Sequence, residues 1–417
     1  MRSVKFRLLT VTLSTLGLAA ALTASNRAES SAEQLNVPRW VESAQKVASA
    51  SESQRVTIAA FLSFRNQVSL KAMVAEQSRP GSAQYAKYLT PEQFRAQFAP
   101  KAADVARVQR TLEKLGFHVE NTPASGLFVE ASGTIAQVKS AFGVSQNLYA
   151  VKGRTLRANA ETPKIPAAIA DVVGYIAGLD DSATLRTPNH VRRDGRTAAL
   201  VKASVTPNAG PPVAADIPSP VCSTYWGDHT GTLSTPAAPY PATLPWLICG
   251  YTPQQVRQAY GSNQVSQDGT GVRVGIVDVY ASPTIVNDAN MYSANHGLPQ
   301  LTSTNFRQIV PPALYWVPAS DPCGPQGWYG EETLDVEAVH SMAPGANIVY
   351  TGDVCTDPLN SALYNLIDNH VVDIVTNSYG YNGEAIAPGQ QSADDQALMA
   401  GAAQGYPILA AGSAAAN

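Results

Sequence analysis

The sequence has little charge, few cysteines and, beyond its first residues, no hydrophobic run of membrane-spanning length. Charged side chains make up 15% of its 417 residues and the net charge is −3, so no basic field indicates binding of nucleic acid or of an anionic membrane. The four cysteines include no Cys-x-x-Cys pair, which argues against zinc and redox roles. What the chain does have is a hydrophobic fraction of 45% and enough length for two domains or more.

The N-terminus has the pattern of a signal peptide. A positive segment with Arg2, Lys5 and Arg7 precedes the apolar stretch Leu8–Leu22, and small residues follow at Thr23–Ser25. The apolar stretch is too short to span a bilayer. We interpret residues 1–25 as a signal peptide removed on export, with an uncleaved anchor as the lesser alternative. The mature protein is then secreted, with no membrane partner.

The cysteines of an exported chain are expected to form disulfides. Their even number allows three connectivities. Pairing Cys222 with Cys249 and Cys323 with Cys355 closes two local loops, and we predict this arrangement.

Residues 34–180 form the first predicted unit. Arg55–Leu62 has the composition of a strand, and Thr90 followed by Pro91 marks a helix start. Val105–Leu115 is an amphipathic helix that ends at Gly116. The overall β-α-β-β-α-β order predicts a ferredoxin-like α+β domain.

Residues 181–245 read as a linker and residues 246–417 as a second unit. The linker is rich in Ala, Pro, Thr, Ser and Gly, which predicts a protease-sensitive segment. Its basic run Arg192–Arg196 is either a processing site or only a solvated loop. In the second unit, Gly271–Asp278 is a near-continuous apolar run typical of a buried parallel strand. Strands then alternate with helices, which predicts a doubly wound α/β sheet.

Glu331 and Asp335 are the most informative pair in the second unit. They lie four residues apart on a predicted helix, so their Cβ atoms are about 5–6 Å apart on one face. Two adjacent carboxyl groups share a proton and titrate together, which is a general acid/base device suited to acid pH. The alternative is a solvated helix face. Asp278, at the end of a core strand, is either functional or a structural cap, and Glu337 with His340 copies only half of a di-iron motif.

The first unit resembles the activation prodomain of the sedolisin (serine-carboxyl peptidase) family, kumamolisin-like members included. The matching segments are Pro80–Phe94, Phe98–Pro100, Gly133–Phe142 and Ile165–Leu179. The second unit resembles the start of the family's catalytic domain, a partial subtilisin-like doubly wound parallel sheet. Its matching segments are Tyr251–Gly261, Gly275–Asp278, Glu331–Asp335, Ala343–Ala346 and Ser378–Gly380.

The resemblance implies a Ser-Glu-Asp mechanism of peptide hydrolysis. Glu331 would accept the proton of a nucleophilic serine, and Asp335 would orient Glu331. Ser378, Tyr379 and Gly380 would bind the substrate strand. The implied partners are a protein or peptide substrate and the chain's own prodomain, which would lie against the catalytic domain.

Two family motifs have no match in the sequence. No Ser-Gly-Thr-Ser nucleophile motif follows Ser378, and Ser413 stands at or near the place of the family's oxyanion aspartate. The family's calcium loop would also lie beyond Asn417, so no cofactor is expected in this chain. We therefore expect a truncated catalytic domain that shows no peptide hydrolysis as written.

Two classes of function remain open from the sequence. The first is the zymogen of a secreted, acid-acting serine-type endopeptidase. The second is a non-catalytic protein, either a pseudopeptidase or a prodomain-type peptidase inhibitor. A Ser-Gly-Thr-Ser motif encoded beyond codon 417 would favour the first class.

Overall fold

A computed structural model describes residues 36–188, 230–232, 243–245, 252–315, 317–318, 321, 323–355, 360–381 and 386–410. Its helices are α1 (Gln67–Ser78), α2 (Pro91–Gln97), α3 (Ala102–Lys114), α4 (Ile135–Phe142), α5 (Pro253–Ala259), α6 (Ile285–His296), α7 (Pro325–Met342), α8 (Asn360–Asp368) and α9 (Pro388–Ala403). The strands of the first unit are β1 (Gln45–Ser49), β2 (Arg55–Leu62), β3 (His118–Asn121), β4 (Phe128–Thr134), β5 (Gln146–Val151), β6 (Arg154–Asn159), β7 (Val173–Ala177) and β8 (Arg186–Pro188). The later strands are β9 (Thr230–Thr232), β10 (Thr243–Pro245), β11 (Arg273–Val279), β12 (Phe306–Ile309), β13 (Asn347–Asp353), β14 (Ile374–Asn377), β15 (Tyr379–Tyr381) and β16 (Ile408–Ala410).

The first unit contains a four-stranded antiparallel sheet in the order β3-β4-β2-β7. With α1–α3 between β2 and β3, and α4 between β4 and β7, this is the ferredoxin-like arrangement predicted from the sequence. A second sheet, β1-β5-β6, was not predicted. Its hairpin turns at Lys152 and Gly153, both at positive φ, and a Lys-Gly dipeptide is a weaker turn signal than Asn-Gly.

Three short helices begin with the same N-terminal capping motif. Thr90, Thr134 and Thr252 each accept a hydrogen bond from the backbone N–H of the Gln three residues later, and that Gln side chain accepts one from the Thr backbone N–H. Such capping boxes satisfy two otherwise unpaired donors at the helix end. The predicted helix start at Thr90 is confirmed.

The second unit contains a five-stranded parallel sheet in the order β12-β13-β11-β14-β16. Alternate residues of β11 point to opposite faces, so Ile276 packs with α6 and α7 while Val277 packs with α8 and α9. Helices therefore cover both faces, and the predicted doubly wound sheet is confirmed. Helix α6 and strand β12 were not predicted.

The two units share one hydrophobic core. Phe61, Phe128 and Tyr175 of the antiparallel sheet belong to the same cluster as side chains of α8 and α9. The ring centroids of Phe128 and Tyr364 are 5.6 Å apart. A Cβ atom at Gly389 would lie 2.1 Å from the Tyr175 ring, so this close approach requires glycine. The ferredoxin-like sheet thus packs directly on the helices of the parallel sheet.

Part of the predicted linker lies within the described residues and forms regular secondary structure. Residues 182–185 form one turn of 3-10 helix, and β8 follows and pairs with β15 of the second unit. Composition alone did not indicate this strand. The signal peptide and the basic run Arg192–Arg196 lie outside the described residues.

Cys323 and Cys355 lie at disulfide distance, with Cα atoms 6.2 Å apart, as the local pairing predicts. Cys222 and Cys249 are outside the described residues. In the part of the chain that the structure describes, no helix combines the length and the apolar character needed to cross a bilayer.

Candidate active site

Glu331 and Asp335 lie on the buried face of α7. Their side chains are 1% and 8% exposed, so they do not belong to a solvated helix face. The fully buried Trp328 and Val336 lie on the same helix. Trp328 is three residues before Glu331 and Asp335 is four residues after it, so these three side chains share one face of the helix.

Asp278 completes an acidic cluster at the carboxyl end of β11. It is fully buried, and neither carboxylate oxygen has a hydrogen-bond partner within the described residues. Burial raises the pKa of Asp278 well above its usual value, and the negative charges of Asp335, Glu331 and Glu332 add to the rise. At acid pH this carboxyl group is therefore neutral. Asp278 thus lies among the acids of α7, and its functional role stays a prediction.

Ser378 connects the cluster to the end of a neighbouring strand. It follows β14 directly, and its Oγ donates a hydrogen bond of 2.8 Å to Oδ1 of Asp335. The ends of β11 and β14 lie side by side in the sheet, with Val277 opposite Asn377. Functional groups in doubly wound sheets collect at this edge, which explains why residues a hundred positions apart meet here.

Tyr379 and Gly380 belong to β15, which leads away from Ser378. The rings of Tyr379 and Trp328 lie 6.5 Å apart, so β15 lies beside α7. Strand β8 pairs antiparallel with β15, with Gly380 opposite Thr187. Strand β8, which follows the antiparallel sheets of the first unit, thus pairs along the edge of β15. Strand β15 contains Tyr379 and Gly380, which the sequence analysis predicted to bind substrate.

Glu332 is a buried acid that the sequence reasoning did not single out. It accepts hydrogen bonds from the Ser282 backbone N–H and from Nε2 of Gln308, the latter at 2.6 Å. Burial raises the pKa of Glu332 to about 8, although both hydrogen bonds oppose the rise. Only its position next to Glu331 could have drawn attention to it. Through its hydrogen bond from Ser282, Glu332 connects α7 to the loop after β11.

The remaining candidates have ordinary structural roles or lie elsewhere. Nε2 of His340 is 2.7 Å from the Pro299 carbonyl oxygen, so this histidine ties α7 to a loop. Among the described residues, the one grouping of metal-ligand type is Asp321 with Cys323 and Cys355, and its two sulfurs are already paired with each other. Ser413 is outside the described residues.

The chain is similar in sequence to known proteins. Residues 42–182 match the pro-kumamolisin activation domain family. The chain is 27% identical over 365 residues to xanthomonalisin of Xanthomonas sp. (strain T-22). It is 23% identical over 351 residues to sedolisin of Pseudomonas sp. (strain 101), and 26% identical over 364 residues to kumamolisin of Bacillus sp. (strain MN-32). The chain is thus similar in sequence to peptidases of the sedolisin family.

The matches cover most of this chain but only part of each relative. They include 85%, 82% and 86% of this chain, and 39%, 51% and 56% of xanthomonalisin, sedolisin and kumamolisin. A solved structure of Pseudomonas sedolisin (serine-carboxyl proteinase), complexed with two molecules of pseudo-iodotyrostatin, is also similar. It matches 39% of this chain and 44% of that chain, with 20% identity and a TM-score of 0.32.

Proposed function

We propose that the chain is part of the zymogen of a secreted, acid-acting serine-type endopeptidase. The observation that carries this proposal is the buried cluster of Glu331, Asp335 and Asp278. The cluster lies beside strand β15, and β15 pairs with the extended strand β8. The sedolisin-family relatives and the activation domain support the same reaction class.

In the proposed reaction Glu331 is the general base. It accepts the proton of a serine hydroxyl as that oxygen attacks the peptide carbonyl carbon, and it returns the proton to the leaving amine. A carboxylate suits this role in acid because its ordinary pKa is about 4.3, whereas histidine would be protonated there. The serine itself would come from outside the described residues.

Asp335 and Ser378 would hold the base in position. Asp335 would hydrogen-bond to Glu331, and the Ser378 hydroxyl fixes Asp335 through its 2.8 Å hydrogen bond. Asp278 would stay protonated at acid pH, because its pKa is raised first by burial and then by the neighbouring acids. The neutral Asp278 then adds no negative charge beside the proposed base.

The activation domain would keep the zymogen inactive by covering the cleft. Strand β8 uses the edge of β15, and an extended substrate adding to the same edge would have to displace it. Cleavage within residues 181–245 would separate the two units. The shared core between them indicates that the activation domain also stabilises the fold of the second unit.

The proposal is tested with the full gene product that contains these 417 residues. At about pH 3 to 5, where a carboxylate base begins to ionise, we expect cleavage between the units followed by hydrolysis of a denatured protein. At pH 7.5 we expect neither reaction. A gene product that stays intact in acid and instead inhibits a related peptidase would favour the non-catalytic alternative.

A further inference from the structure

Strand β8 carries a buried arginine into the cleft. Arg186 is only 2% exposed, although an arginine side chain is rarely fully buried unless it is paired. It lies opposite Tyr381 in the pairing of β8 with β15, and β8 also lies against α7, the helix of the acidic cluster. Strand β8 therefore holds a buried guanidinium group while it packs against the helix of the proposed catalytic residues.

The aromatic ring of Tyr379 forms one wall around this arginine. The guanidinium carbon of Arg186 is 5.1 Å from the ring centroid, within the range of a cation–π interaction. Tyr379 is the diagonal neighbour of Arg186, because Tyr379 pairs with Pro188 two residues further along β8. Diagonal neighbours lie on the same face of a sheet and are within reach of long side chains, so the pairing of the strands itself brings the two groups together.

Two carboxyl groups complete the surroundings. Asp353 ends β13, and Asp394 lies on α9, where its Oδ1 accepts a 2.9 Å hydrogen bond from Gln390. Burial raises the pKa of both acids, to about 7 for Asp394, and the positive charge of Arg186 opposes the rise in each case. The charge of Arg186 thus acts on both carboxyl groups. Their other charged neighbours are Glu130 beside Asp353 and Asp395 beside Asp394.

We propose that Tyr379, Asp353 and Asp394 form a subsite for an arginine side chain of an extended peptide bound along β15, and that Arg186 fills this subsite in the zymogen. This inference rests on the proposed function, since it takes β15 as the substrate-binding strand. A peptide with arginine at the position opposite Tyr381 is then preferred at a pH where these carboxyl groups are charged, because an uncharged side chain of similar size would leave two buried negative charges without a cation. In acid the preference falls to the contribution of the Tyr379 ring.

The subsite is tested by binding rather than by hydrolysis. In the full chain with Arg186→Gln, the chain's own strand no longer places an arginine side chain in the subsite. A fluorescent peptide that copies Ala183–Pro188 should then bind at pH 8 about tenfold more tightly than the same peptide with glutamine for arginine, as a cation–π contact together with a charge pair allows. Adding Asp394→Asn should reduce this ratio to about threefold or less, whereas the neighbouring Asp395→Asn should leave it unchanged.

The preference should also weaken in acid. Because the pKa of Asp394 is about 7, its carboxyl group is charged at pH 8 and neutral at pH 4, so the ratio should be smaller at pH 4. The proposal would be overturned if the two peptides bound equally at pH 8. It would also be overturned if neither peptide bound to a variant chain that melts at the wild-type temperature. Because binding needs no nucleophile, the two proposals fail separately: absence of hydrolysis by the full gene product would count against the proposed function and leave the subsite standing.

Discussion

In the full gene product, replacing Glu331 with glutamine should abolish peptide hydrolysis while leaving the fold intact. Glutamine keeps the size of the side chain but cannot accept the serine proton, and loss of a positioned general base costs about a hundredfold to ten-thousandfold in rate. We expect kcat/KM at acid pH to fall by about a thousandfold or more, since the base and the nucleophile act as a unit.

Glu337→Gln is the matched control for this substitution. Glu337 lies on the same helix but is only half-buried, and the acid that interacts with it is Asp288 rather than a member of the site cluster. We expect near wild-type kcat/KM for Glu337→Gln. If Glu331→Gln retained the wild-type rate with the same melting temperature, Glu331 would not be the base.

The free energy of unfolding should fall as pH rises from about 4.5 to about 8, and Glu332 should be a main cause. Burial raises the pKa of Glu332 from 4.5 to about 8. In that interval the folded protein holds a proton that the unfolded chain releases, so stability is full below pH 4.5 and is lost as pH rises through about 8. A shift of this size corresponds to several kcal/mol. Glu130, Glu337 and Asp394, with pKa values raised to about 7 chiefly by burial, act in the same direction.

Urea unfolding at pH 4.5 and pH 8 measures this effect. Glu332→Gln should flatten the pH dependence, because glutamine does not ionise and keeps a carbonyl oxygen for the Gln308 amide. Glu92→Gln is the control: Glu92 is exposed and its pKa is lowered, first by a backbone hydrogen bond, so the slope should stay as in the wild type. Equal stability of the wild type at the two pH values would contradict the prediction.

The regular elements could be read from the sequence because local patterns determine them. Arg55–Leu62 forms a strand with the predicted bounds, and the Thr90 cap forms because its partner Gln93 is three residues away. The sequence predicts a helix over about 330–342, whereas helix α7 begins at Pro325, five residues earlier. The residue before that proline, Gly324, is at positive φ, a break in the helix that the apolar periodicity does not reveal.

The site could be predicted only in part. The spacing of Glu331 and Asp335 placed them on one face, but spacing does not reveal whether a face is buried. The place of Asp278 in the cluster depends on the packing of α7 on β11, and the pairing of β8 with β15 joins segments nearly two hundred residues apart. Three-residue strands such as these have no alternation to detect. Long-range packing, rather than local pattern, brings these groups together.

The pH dependence of kcat/KM for the gene product separated from its activation domain tests the central claim most directly. If Glu331 is the base within a carboxyl cluster, hydrolysis should be fastest in acid, with the limbs of the profile in the range where carboxyl groups titrate, and no limb should depend on a histidine. Glu331→Gln should remove the activity across the whole profile. A maximum at neutral pH, rising with an apparent pKa of about 6.5 as for histidine and unchanged by Glu331→Gln, would contradict the claim.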